Sequence, residues 1–186
     1  TDQDLWHWLD LRIGKEQTDR WSATFFVRST ADLDGQRDSR DGYEFGSLAD
    51  TSDSSVNAKL YSAYVTWRPE KGIASMVRLG RQYVQVAETF HVDGAYAESR
   101  ELDEKMHVTA ALYGGKPVHL YETSARGDWL VGAQMSVEPA RGTRATADYV
   151  HVADDYVGAK MRDDFAALLV WQRATDLLDL YGRVSY

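Results

Sequence analysis

Oily and polar residues alternate along most of this chain, and the polar phase repeatedly carries charge. In "RWSATFFVRS" one phase holds Trp21, Ala23, Phe25 and Val27, the other Ser22, Thr24, Phe26 and Arg28. In "DWLVGAQMSVE" the phases are Trp129, Val131, Ala133, Met135 and Val137 against Leu130, Gly132, Gln134, Ser136 and Glu138. In "LLDLYGRVSY" they are Leu178, Leu180, Gly182, Val184 and Tyr186 against Leu177, Asp179, Tyr181, Arg183 and Ser185. A period of two means strands, because successive side chains of a strand point to opposite faces. The pattern predicts strands over 5–14, 20–30, 58–68, 75–84, 90–98, 106–114, 129–138, 145–153, 165–172 and 177–186. The ninth, "FAALLVWQ", is apolar on both phases and reads equally as a buried strand or a short helix. In "VRLGRQYVQVAETFHVDGAYAE", Arg81 intrudes on the phase of Val77, Leu79 and Tyr83, so this strand alone does not say which face meets oil.

The connections decide that question. "GKEQTD" (14–19), "PEKG" (69–72), "PARGT" (139–143) and "RATD" (173–176) are short and rich in turn formers. Segments 31–57, 115–127 and 154–164 are longer, polar and acidic. Sorting connections by length along a run of strands is the habit of outer-membrane barrels, with short periplasmic turns and long outer loops. The apolar phase then faces lipid and the polar phase a wet lumen, which frees Arg28, Arg78, Gln82, Gln134, Glu138, Asp148, Asp179 and Arg183 from needing dry partners. Both charge signs stand on that phase. A mixed ring gives mild selectivity, and pairing across the lumen is the plain alternative. Trp21, Trp67, Trp129 and Trp171 sit near strand ends beside short turns and are expected at the periplasmic lipid interface.

Composition narrows the picture. At 186 residues the chain is long enough for one domain, 1–186, with a sizeable core. No apolar run approaches the ~18 residues of a membrane-crossing helix, whereas a barrel strand needs only about 9–11 alternating ones. With no cysteine there is neither a disulfide nor thiol chemistry, and a net charge of -8 argues against a nucleic-acid partner. Six Trp and eleven Tyr suit a surface that passes from hydrocarbon to water.

The stretch "LYSAYVTWRP…MVRLGRQYVQVAETFHVDGAYAE" resembles porin-like outer-membrane β-barrel proteins of Gram-negative bacteria, and "ALYGGKPV" with "GDWLVGAQMSV" is similar to the hairpins that follow in that architecture. The resemblance implies a channel or scaffold barrel and carries no catalytic residue.

Chemical motifs are weak throughout. His7, His91, His107, His119 and His151 are scattered singly, so no metal is expected. "ADLDGQRDSRDG" has Asp32, Asp34 and Gly35, but Gln36 stands where a calcium loop needs an acid and the glycine comes early. "ALYGGKPV" lacks the phosphate-loop spacing, and neither a G-x-S-x-G nor a haem-attachment motif occurs. No enzyme and no cofactor is expected.

The sequence therefore predicts an all-β protein: an antiparallel, up-and-down transmembrane β-barrel of the bacterial outer membrane, passing small hydrophilic solutes or scaffolding a partner. Its partners would be outer-membrane lipid, small hydrophilic solutes, and a protein partner or further copies of itself. The runner-up is a soluble all-β binding module, a sandwich or lipocalin-like barrel. Strand order adds one expectation. The first strand meets a short turn and the last follows one, whereas a bacterial barrel normally begins and ends on the periplasmic side. The chain thus reads as a segment of a larger barrel, the alternatives being a complete ten-stranded barrel inserted with unusual polarity or a miscounted strand near Thr89–Glu98.

Overall fold

A computed structural model describes residues 4–33, 56–86, 88–120, 127–156 and 159–186. Ten strands follow one another in a single antiparallel sheet, each paired with its neighbours in the chain. They are β1 (Asp4–Ile13), β2 (Trp21–Asp32), β3 (Val56–Trp67), β4 (Ala74–Gln85), β5 (Thr89–Ser99), β6 (Thr109–Pro117), β7 (Trp129–Ala140), β8 (Thr143–Tyr156), β9 (Ala159–Thr175) and β10 (Leu178–Ser185). Among the described residues there is no helix, and β1 does not pair with β10, so the sheet is an open up-and-down meander rather than a closed ring.

The alternation read from the sequence becomes two faces. Register carries one row from Trp21 through Trp67, Val77, Ala97, Leu112 and Ala133 to Tyr149, and this outer row is mostly exposed. The adjacent row runs from Ser22 through Thr66, Arg78, Tyr96, Tyr113 and Gly132 to Val150 and lies on the inner, better-buried face. Arg81, the intruder on the oily phase, is answered across the strand pair: its Nε and Nη2 donate to the Asp93 carboxylate at 2.7 and 2.6 Å.

The inner face is filled between β4 and β9. Val84, Val92, Leu130 and Val150 surround Tyr113, with Val86, Phe90, Tyr96, Val152 and Phe165 packed against them. Side chains from β4–β5 meet those from β8–β9 because the sheet curls. Val86, just past β4, packs against this cluster, and Arg183 of β10 pairs with Glu88. Two glycines permit the packing. Gly132 lies under the Tyr113 ring, where a Cβ would collide with ring carbons. Gly80 holds φ +123, a left-handed conformation that L side chains avoid, and a Cβ there would strike the backbone of Ala63 and Tyr64.

Several expectations about connections are corrected. Residues 154–156 and 159–164 belong to strands instead of a loop: β8 and β9 run on through them, with Asp154 opposite Met161 and Tyr156 opposite Ala159. An antiparallel ladder is bonded through its backbone and extends through polar residues as readily as apolar ones. Residues 115–117 belong to β6, and β4 and β5 are joined by residues 86–88 alone, which breaks the alternation of short and long. Of the segment 31–57, residues 34–55 lie outside the described residues, and with them the Asp34, Gly35 and Gln36 of the calcium-like motif.

Candidate functional site

The inner face differs from one side of the sheet to the other. On β4–β9 the half nearer the β4–β5 connection is packed; on β1–β3 the face is hollow. A cavity of about 550 Å³ stands there. Its floor consists of two register rows, Asp10–Phe26–Ser62 and Arg12–Thr24–Tyr64, with Ser22 beside them. Its roof is the turn after β1, where Gly14, Lys15, Glu16 and Gln17 fold back over the floor. Gly14 takes φ +72 to start that turn, and Asp19 Oδ2 accepts the Lys15 N–H at 2.9 Å to close it.

Glu16 fixes the roof. Its carboxylate pairs with Arg78 of β4 and accepts from the Tyr64 hydroxyl at 3.2 Å, and its backbone carbonyl accepts from Arg68 Nε at 2.7 Å. The Arg78 guanidinium also lies 4.7 Å from the Tyr64 ring centroid, within cation–π range. On the floor, Arg12 grips Asp10 with two donors, Nε at 3.1 Å and Nη2 at 2.8 Å.

A second polar cleft opens at the same end of the sheet between β5, β7 and β8. It has a volume of about 300 Å³ and is walled by Glu98, Glu101, His107, Glu138 and Arg144. His107 takes φ 48 and contacts Glu101; Arg144 Nη2 donates to Ser136 Oγ at 3.5 Å. Among the described residues, no three His, Asp or Glu side chains converge so as to hold a metal ion.

The charged and polar residues expected to face a lumen occupy varied environments. Arg28 lies 4.1 Å from the Trp6 ring centroid on the hollow side. Arg78 is held by Glu16 and Arg183 by Glu88. Gln82 is 0% exposed, with its Nε2 donating to the carbonyls of Arg78 (3.4 Å) and Gly94 (3.3 Å). Asp148 is buried too and accepts from Tyr113 Oη at 3.0 Å. These two belong to the packed region instead of lining open water. Glu138 borders the second cleft, Gln134 lines a smaller pocket of about 90 Å³ that shares Glu98, Ser136 and Arg144 with it, and Asp179 meets Arg173 at 3.4 Å on exposed β10.

The four tryptophans separate. Trp21 and Trp67 stack on the outer face at 5.8 Å, beside the short turns. Trp129 is on the same face but at the opposite end, where β7 begins, and its ring is 5.1 Å from that of His151. Trp171 shares the phase of Ala167 and Leu169, opposite Arg144 and Tyr181, and so faces inward. Because "FAALLVWQ" is apolar on both phases, its own alternation does not choose a face, and register with β8 and β10 sets that of Trp171.

Glu16, Asp10, Arg12 and Tyr64 were not singled out by sequence. Glu16 sits in a turn, where no periodicity operates, and its partner Arg78 is distant along the chain. Comparison with known proteins supplies no kinship: no family model matches the chain, and no curated protein matches it.

Proposed function

We propose that this chain forms part of the wall of a transmembrane β-barrel in the bacterial outer membrane, a porin-like element whose inner face lets small hydrophilic solutes pass. One observation carries the reading: the outer face exposes large apolar side chains on most of its strands, interrupted at β5, where Asp93 faces out and meets Arg81. Leu9, Leu11, Phe25, Val65, Leu79, Leu112, Val131, Met135, Leu168 and Val184 all lie on this face and are all exposed. An apolar surface spread over most of a sheet is far more than a soluble monomer leaves to water, and hydrocarbon would cover it without any partner of complementary shape. Trp21, Trp67 and Trp129 stand at its two ends, where amphipathic rings favour the headgroup level. The free backbone groups along β1 and β10 must be paired inside a bilayer, so in this reading further strands complete the ring.

The second reading, a soluble all-β binding module, draws on the dry cluster around Tyr113, which is what a sandwich core would look like. Leu112→Arg separates the two. Leu112 is 65% exposed in the middle of β6. In a membrane wall, arginine there costs about 2–4 kcal/mol near the midplane, read as a lowered urea midpoint after refolding into liposomes. In a soluble module the change is neutral and the protein folds in plain buffer. Folding without detergent or lipid overturns the membrane reading, and absence of conductance from the closed ring, inserted together with the strands that complete it, overturns the channel part of it.

A further inference from the structure

The hollow on β1–β3 has a chemistry of its own, and we infer that it binds a neutral, polyhydroxylated solute: a free mono- or disaccharide. The inference rests on reading the inner face as the one that meets solutes, and it names the class of solute.

The charges of the hollow are balanced. Its lining carries two acids, Asp10 and Glu16, and two bases, Arg12 and Lys15. Asp10 is held by two Arg12 donors, and Glu16 by Arg78 just behind it. A free anion would have to take Arg12 from Asp10 or rest on the exposed, water-screened ammonium of Lys15 alone, and a free cation would have to take Asp10 from Arg12. Each exchange replaces an ion pair with an ion pair and gains little. A neutral polyol displaces nothing. The remaining lone pairs of the Asp10 carboxylate accept from vicinal hydroxyls, and the free donors of the Arg12 guanidinium and the Gln17 amide give to them. These planar groups suit adjacent hydroxyls because they offer two atoms at hydroxyl spacing.

The rest of the lining has the complementary quality. Ser22, Thr24 and Ser62 present hydroxyls that turn to donate or accept as required. Phe26 and Tyr64 present ring surface to which the C–H face of a sugar can pack. A sugar has both kinds of surface on one small body, polar at its edges and apolar on its faces. At about 550 Å³ the hollow falls within the ~300–1,000 Å³ range of small-molecule sites. The second cleft differs in kind: it brings together three carboxylates, Glu98, Glu101 and Glu138, and would repel anions without offering aromatic surface to a sugar.

Saturation-transfer NMR on the full chain refolded in detergent tests this, with glucose and maltose as probes and glutamate and lysine as charged controls. Saturable transfer to the sugar C–H protons and none to the amino acids is expected. Asp10→Ala and Phe26→Ala should each weaken sugar binding by about tenfold or more, and Leu112→Ala on the other face should leave it unchanged. If either pocket variant fails to refold by circular dichroism, Ser62→Trp, which fills the hollow from β3, takes its place. No transfer to either sugar, transfer unaffected by the pocket variants, or equal transfer to glutamate or lysine through the same residues overturns the inference. Liposome insertion is scored separately. Protein that inserts but ignores sugars loses only this inference; protein that binds sugars but folds in plain buffer loses only the membrane wall.

Discussion

The inner face of β4–β9 and the inner face of β1–β3 are built on the same alternation and end in opposite states. On the first, Val84, Val92, Leu130 and Val150 close around Tyr113 and exclude water. On the second, Ser22, Thr24 and Ser62 leave a hollow roofed by a turn. Both tyrosines have a glycine directly opposite, and the difference lies in where each ring goes. Tyr113 lies down on Gly132. Tyr64, between Thr24 and Gly80, leaves its glycine uncovered and reaches out to Glu16. A two-residue period assigns faces, but volume at a few positions decides whether a face becomes core or cavity.

The sharpest way to break this contrast is to remove the ring at the centre of the packed side. Tyr113→Ala deletes a buried aromatic and leaves a cavity, and the expected loss is about 3–5 kcal/mol in urea unfolding of the refolded chain. Phe26→Ala on the hollow side should cost only ~1 kcal/mol, because a cavity already stands beside it and none has to be opened. Equal losses would mean that the two sides are packed alike.

Gly132→Ala attacks the same contact from below. The added methyl meets the Tyr113 ring, and overpacking of this kind costs about 1–3 kcal/mol. Combined with Tyr113→Ala it should cost almost nothing more, since the ring it strikes is gone, and the non-additivity in a double-mutant cycle is the measurement. Additive losses would place the strain of Gly132→Ala elsewhere.

Much of the strand framework could be read in the sequence, and the reason is local. Alternation at 129–138 reports directly on β7 (Trp129–Ala140), and the ambiguous "FAALLVWQ" is the apolar centre of β9. Ends were harder. The sixth strand, expected over 106–114, runs Thr109–Pro117, because Asp103 Oδ1 accepts from the N–H groups of Lys105 and Met106 at 2.9 Å each and holds that stretch in a turn. The acidic 154–164 reads as a loop when polarity is the guide, while the backbone pairing of 154–156 with 159–161 is indifferent to polarity. The hollow was invisible for a different reason. Its floor residues alternate as any strand does, but its roof depends on Glu16 meeting Arg78 across the sheet, a contact with no local signature.

Glu16→Gln should loosen that roof with modest effect on the whole. The Glu16 and Arg78 side chains are partly shielded, and the amide still accepts from Tyr64, so about 1 kcal/mol is expected. The loss should shrink as salt rises, because the variant removes an interaction that salt screens in the parent chain. A loss above that of Tyr113→Ala would make the roof, rather than the packed side, the centre of stability.

The smallest effect should come from Asp10→Ala, and its smallness is what makes it informative. The Arg12–Asp10 pair is well formed at 2.8 Å, but the two side chains are 72% and 42% exposed. Exposed pairs of this kind contribute about 0–1 kcal/mol. The partners are also two residues apart on one strand, so an extended unfolded chain can bring them together as well, which lowers the net effect on folding further. The urea midpoint should therefore stay within about 0.5 kcal/mol of the parent, the range of ordinary surface substitutions. On the packed side a comparable polar deletion, Asp148→Ala, removes the acceptor of the buried Tyr113 hydroxyl and should cost about 1–3 kcal/mol. If the hollow is a site and not a flaw in packing, Asp10→Ala separates the two properties that Asp148→Ala joins: stability holds while the contact to a bound solute is lost. A large destabilisation by Asp10→Ala would show instead that the Asp10–Arg12 fork holds β1 in the sheet, and the contrast between the two sides would fail.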